Sequence, residues 1–205
     1  MGCPSGHPPF INIMTVILNT YFVEKDVADK VENLFLFSFD FPWFIRAGKS
    51  TSENPITGEE YDDYYAPVLT NVPDIEESGQ LVHTFVQNGK QNSDLMLKIE
   101  GVLQASQLQF FQRIKANLLL RSKVGKNKYH TPHHDRSGPH WTAIYYVNDS
   151  DGDTFFFDDV GNIIERISPE KGKIVVFPGE TFHAGASPRK AAVRSVINMN
   201  AESLL

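Results

Sequence analysis

His133, Asp135 and His183 are the residues of this chain whose types and spacing point most directly to chemistry. Two imidazoles and one carboxylate make a ligand set for Fe(II), leaving three octahedral positions for a co-substrate and dioxygen. If residues 129–135 are extended, side chains two apart share a face. His133 and Asp135 then aim at one point while His134 faces away. His183 follows 48 positions after Asp135 (183 minus 135), room for several short strands and a return to the first. A His-x-Asp pair alone says little. With a third ligand at this distance, the expected chemistry is that of an oxygenase.

Such ligands need a rigid frame, and the second half of the chain supplies one. From Ile114 onward apolar segments alternate with Gly, Pro, Asn and Asp at the short spacing typical of β-strands. Strands are expected at 114–121, 129–135, 141–148, 153–158, 162–167, 173–177, 181–185 and 192–199. Eight short strands after a helical layer predict an α+β protein with a jelly-roll or cupin-like core, helices packed on one face. Upstream, strands are expected at 15–22 and 80–87. A helix at 25–36 would place Val27, Val31 and Leu34 on one side. A second, at 93–110, would be capped by Ser93 and would bury Leu95, Met96, Ile99, Val102 and Leu103. Phe41, Pro42, Trp43 and Phe44 read as an aromatic plug, since Pro42 ends any helix there. Residues 47–75 form a polar loop, a candidate lid through Tyr61, Tyr64 and Tyr65.

The chain has 205 residues, 41% of them hydrophobic, enough for one domain with a sizeable core. Residues 1–13 read as a disordered extension before a single domain at 14–205, with a helical support layer to about residue 112 and the β core at about 113–200. A net charge of −6 argues against nucleic acid as the main partner. Cys3 is the one cysteine, so no internal disulfide forms and nothing points to an oxidising compartment. No apolar run approaches the roughly 18–20 residues of a membrane span. The expected location is the cytoplasm. The oligomeric state is not encoded in any recognisable pattern.

The text around the ligands is specific. Tyr129-His130-Thr131-Pro132-His133-His134-Asp135 is followed by Thr142 through Asn148, by Gly152-Asp153-Thr154-Phe155-Phe156, by Pro169-Glu170-Lys171-Gly172 and by Lys173 through Phe177. His183 comes next, and Arg194 stands 11 positions beyond it (194 minus 183). This series resembles the Fe(II)- and 2-oxoglutarate-dependent dioxygenases of the prolyl 4-hydroxylase-like branch, closely over about 113–200. The first half, with Phe41-Pro42-Trp43 and Arg113 through Leu118, is similar to small phage-encoded members. The resemblance implies a double-stranded β-helix, with iron on His133, Asp135 and His183. It implies that Arg194 clasps the distal carboxylate of 2-oxoglutarate, a task suited to a planar guanidinium. Tyr146 matches a tyrosine that donates to that carboxylate, and on strand alternation Thr142, Ile144 and Tyr146 line the same wall. Asn117 is a further candidate for the co-substrate, and Arg121 would share its strand face. The implied cofactors are Fe(II), 2-oxoglutarate and O2, with ascorbate as a candidate reductant.

The implied reaction is hydroxylation of a C–H bond, coupled to decarboxylation of 2-oxoglutarate to succinate and CO2. The expected substrate is a prolyl or other side chain of a peptide or protein. The alternatives are a free amino acid or small metabolite, or a non-enzymatic cupin-like metal-binding module. Two departures stand out. Asp151-Gly152-Asp153 replaces a pair of glycines before Thr154, and Val196 stands where an Arg-x-Ser pattern would put serine. His130, His134 and His140 suggest zinc, but closed structural zinc sites favour cysteine and this region has none; they are expected at the surface or behind the ligands. Asp149 through Asp153 superficially suggests a calcium loop, yet the glycine and glutamate fall at the wrong places and a turn fits better.

Overall fold

The computed structural model describes residues 19–46, 67–69, 71–76, 78–122 and 129–205. Among the described residues, eleven strands and two α-helices are ordered as β1 (Asn19–Phe22), α1 (Lys25–Glu32), β2 (Phe44–Arg46), β3 (Gln80–Gln87), β4 (Lys90–Gln91), α2 (Glu100–Ala105), β5 (Leu108–Leu120), β6 (Trp141–Tyr146), β7 (Thr154–Phe157), β8 (Ile163–Ile167), β9 (Lys173–Pro178), β10 (Phe182–Gly185) and β11 (Val193–Leu204). One antiparallel sheet runs β1-β9-β6-β11-β5-β3-β2, with β4 on β3; a smaller one runs β10-β7-β8.

The two faces of the large sheet have different partners because successive side chains alternate. Ala116, Ala143, Tyr145, Ile174, Val176, Ile197 and Met199 point to one side, where they pack with Val31, Phe35, Ile99 and Val102 of the helical layer. Ile144, Tyr146, Val175, Phe177 and Val196 point to the other and enclose Phe156 of the small sheet. Helices thus cover one face, the small sheet faces the other, and the α+β double-stranded β-helix is the observed architecture. The site lies between the sheets.

Several expected elements change. α1 ends at Glu32 and continues as a π-helical turn, Asn33–Phe37, which swings Phe35 into the core. The segment after Ser93 is a 3-10 turn, Asp94–Ile99, then the six-residue α2. Ser93 does cap it, accepting from the Leu95 amide at 3.2 Å. The helix expected to reach Phe110 stops at Ala105, and β5 begins at Leu108 because it pairs with β11 along its whole length. No strand forms over 129–135; Tyr129 and His133 make isolated bridges instead. Phe41 is buried as expected, but Phe44 is largely exposed on β2. Of the strand expected at 15–22, Asn19–Phe22 is observed and the rest lies outside the described residues. So do residues 1–13 and most of the 47–75 loop, including Tyr61, Tyr64 and Tyr65.

Candidate active site

The backbone brings His133 and His183 together directly. Each amide donates to the other's carbonyl, at 3.0 and 3.1 Å, so the residues face one another as a hydrogen-bonded antiparallel pair. Their rings lie 5.1 Å apart between centroids. His133 Nδ1 sits 2.9 Å from the Thr131 carbonyl and His183 Nδ1 3.1 Å from the Thr181 carbonyl. A carbonyl can only accept, so Nδ1 carries the proton in both and Nε2 keeps its lone pair.

Asp135 completes the cluster. Its Oδ2 lies 3.4 Å from His183 Nε2 and its Oδ1 3.9 Å from His133 Nε2. One ligand atom from each residue falls within 4.8 Å of the others, and among the described residues this is the cluster that could hold a metal. The buried Nε2 of His183 has no hydrogen-bond partner. An acceptor hidden from water and left unpartnered is costly, and a cation between two imidazoles and a carboxylate would satisfy it. The donor set therefore fits Fe(II).

The large sheet fixes Asp135. Asn198 Nδ2 donates to both carboxylate oxygens at 2.9 Å, Asn200 Nδ2 to Oδ2 at 3.1 Å and Arg113 to Oδ1 at 3.2 Å. Arg113 also donates to Asn200 Oδ1, and Asn200 to the Thr142 hydroxyl. Burial disfavours the Asp135 carboxylate, while the Arg113 guanidinium and the amides of Asn198 and Asn200 that point at it favour it.

Strand register lays out the wall of the cavity beside this cluster. Across β5, β11 and β6, Arg113 faces Asn200 and Thr142, Lys115 faces Asn198 and Ile144, and Asn117 faces Val196 and Tyr146. Arg194 lies two residues along β11 from Val196, at the far end. It is buried: Nε donates to the Gly152 carbonyl at 2.6 Å and Nη2 to Thr154 Oγ1 at 2.8 Å. Burial lowers its pKa, opposed by Tyr146 and Asp153. The turn judged unsuited to calcium anchors this arginine. Asp151 accepts from the amides of Arg189, Lys190 and Ala191, and Asn148 accepts from the Ser195 amide, so the turn holds the entry to β11.

The cavity is lined by His133, Asp135, His183, Ile144, Asn117 and Arg194 among the residues singled out from sequence. Two others lie behind it. Tyr146 is fully buried and donates to Thr154 Oγ1 at 2.8 Å, its ring 5.8 Å from the Arg194 guanidinium carbon. Thr142 accepts from Asn200 and is equally buried. Arg121 leaves the shared face with Asn117 and donates to the Lys190 carbonyl. His130, His134 and His140 are buried rather than superficial, and none lines the cavity. Residues not anticipated are Gln80, Arg113, Lys115, Thr154 and Asn198. Arg113, Lys115 and Asn117 alternate on β5, a signal hidden because the strand's other face is apolar and carries the pattern.

Residues 119–202 match the model of the 2OG-Fe(II) oxygenase superfamily. No curated protein sequence matches the chain. Among solved structures, it is similar to a Trichoplax adhaerens prolyl hydroxylase in complex with a hypoxia inducible factor peptide fragment (TM-score 0.54, 11% identity, 91% of this chain and 83% of that one). It is also similar to a Pseudomonas putida prolyl-4-hydroxylase (0.50, 16%, 94% and 96%). A third is AviO1 from Streptomyces viridochromogenes (0.50, 14%, 93% and 93%). At these identities the likeness carries the fold. The matched segment, which holds His133, Asp135, His183 and Arg194, is similar to the 2OG-Fe(II) oxygenase superfamily, and the chain has a prolyl 4-hydroxylase-like fold.

Proposed function

We propose that the protein hydroxylates a C–H bond of a peptidyl side chain, with proline the leading candidate, using Fe(II) held by His133, Asp135 and His183. The observation that carries the reading is the buried, unpartnered Nε2 of His183, aimed at the same point as Asp135 and His133. When bound, iron and 2-oxoglutarate supply the oxidation of a C–H bond, coupled to loss of CO2 and formation of succinate. The chain's own residues hold and orient. The carbonyls of Thr131 and Thr181 keep both imidazoles in the ligating tautomer. Asp135 supplies the negative charge.

Arg194 holds the distal carboxylate of 2-oxoglutarate. Thr154 assists, because its hydroxyl oxygen already accepts from Tyr146 and Arg194 and its own proton is left to donate. Val196 and Ile144 form an apolar wall between the two ends. A peptide substrate is supported by the Trichoplax neighbour, whose structure holds a peptide fragment. No helix among the described residues is long and apolar enough to cross a membrane. We place the enzyme in the cytoplasm.

The test is an anaerobic titration of metal-free protein with Fe(II) and 2-oxoglutarate. A visible charge-transfer band that needs both additions, and is lost in His183→Ala, is the expected result. Tight metal binding without a band would overturn the co-substrate and leave a metal-binding module.

A further inference from the structure

Both oxygens of Asp135 are engaged by neutral and cationic donors before any metal arrives. Oδ1 accepts from Arg113 and Asn198, and Oδ2 accepts from Asn198 and Asn200. A carboxylate offers about four lone-pair positions, so this set leaves none idle. The large sheet builds the cradle. Asn198 and Asn200 are two apart on β11 and share a face, and Arg113 stands opposite Asn200 on β5. The amide orientations follow from the chemistry: carboxylate oxygens only accept, so both amides turn their nitrogens to Asp135. Asn200 is left with its oxygen toward Arg113, which donates to it. All four side chains are buried, so these bonds act at low dielectric.

A donor aimed at a carboxylate draws negative charge toward itself, and that charge is lost to a metal on the same oxygens. The loss matters more for Fe(III) than for Fe(II), because the attraction scales with the charge on the metal. The rest of the site leans the same way. Both imidazoles direct Nδ1 to backbone carbonyls, of Thr131 and Thr181, and these neutral partners enrich the rings less than carboxylates would. Arg113, Lys115 and Arg194 line the cavity, and among the described residues Asp135 is its one acidic side chain. Positive neighbours resist a further positive charge on the metal.

We infer that Arg113, Asn198 and Asn200 are positioning residues that act through Asp135 to keep bound iron ferrous. The inference rests on the oxygenase reading and gives a redox role to residues outside the ligand set. The step they resist is the passage of one electron from Fe(II) to dioxygen between turnovers, which leaves Fe(III) and superoxide. A reductant such as ascorbate must then return the electron, and a stronger cradle lowers the need for one.

The experiment is an anaerobic spectroelectrochemical titration of the iron-loaded protein without 2-oxoglutarate, read by the ferric EPR signal. Asn198→Leu removes two of the four bonds at little change in shape, and Asn198 Oδ1 has no hydrogen-bond partner to lose. In this variant Fe(III) affinity should gain about tenfold on Fe(II) affinity, which places the midpoint potential about 59 mV below the wild type. A second pair separates charge from contact and does not depend on the first variant folding. Arg113→Met should lower the midpoint by a similar amount, and Arg113→Lys, which keeps the charge, should lie nearer the wild type. The charge-transfer band with Fe(II) and 2-oxoglutarate shows that each variant has a formed site.

A midpoint that is unchanged or raised in Asn198→Leu and Arg113→Met would overturn the inference. So would Fe(II) and Fe(III) affinities that fall together, the mark of residues that only hold Asp135 in place. A wild-type protein that binds no iron would instead remove the oxygenase reading, and the inference with it.

Discussion

Arg113 donates to a carboxylate oxygen of Asp135 at 3.2 Å, and the two side chains are 6% and 1% exposed. A buried pair of this kind costs much to break from one side, because the surviving charge has lost its partner. Arg113→Met should therefore destabilise the metal-free protein by about 3–5 kcal/mol. Urea denaturation of the apo forms measures it. Added Mn(II) should recover part of the loss in the variant, since a cation at the same carboxylate restores its partner. Equal apo stability would show that Asn198 and Asn200 suffice to hold Asp135.

Arg194 offers a different balance. Its guanidinium is fixed by Gly152 and Thr154 before any co-substrate arrives. Arg194→Ala should leave Fe(II) affinity within a few fold, because no iron ligand contacts it. It should weaken 2-oxoglutarate by about 1.5–3 kcal/mol, roughly tenfold to 150-fold, the range for hydrogen bonds to a charged group. Band titration at increasing 2-oxoglutarate reads this directly. An unchanged Kd would mean that another residue, Lys115 first, holds the carboxylate.

Much of this was legible in the sequence, for a physical reason. The strands from β6 to β10 are four to six residues long, all but β8 are largely buried, and turn residues separate these and β11, so composition alone outlines them. His183 and Arg194 fall on two of these strands. The 129–135 segment misled: His133 and Asp135 do converge, but through a loop fixed by the His133–His183 bridge and the amides of Asn198 and Asn200. β5 misled too. Gln107 and Leu108 follow a helical stretch without an obvious stop, and only the pairing of Leu108 with Leu204 reveals that the strand has begun. Tertiary pairing decided what local pattern could not.

The departure at Gly152 has a structural cause. A β-carbon there would lie 2.4 Å from the Ala186 carbonyl oxygen and 3.0 Å from Cδ of Arg194. One glycine suffices because only this position meets backbone; its neighbours, Asp151 and Asp153, carry side chains with work elsewhere. Gly152→Ala should cost about 1–3 kcal/mol from overpacking, and should weaken 2-oxoglutarate in parallel by displacing Arg194. A variant that loses stability while keeping the wild-type Kd would show that the arginine adapts.

Asp29 on α1 meets Lys171 and Lys25, each at 2.6 Å, which ties the helix to the turn before β9. Hydrogen bonds from Lys171 and then Lys25 lower its pKa from 3.8 to about 2. A carboxylate whose pKa is lower folded than unfolded stabilises the fold fully above the unfolded value, and that contribution disappears as pH falls through the folded one. The group is exposed, so solvent and salt weaken the effect. Asp29→Asn should therefore lower the urea midpoint modestly and by a constant amount from pH 5 to 8. The difference should shrink below about pH 4 and vanish near 2, and it should also shrink in high salt. A difference that persists unchanged at pH 2.5 would mean that Asp29 acts through packing or local hydrogen bonding rather than through its charge.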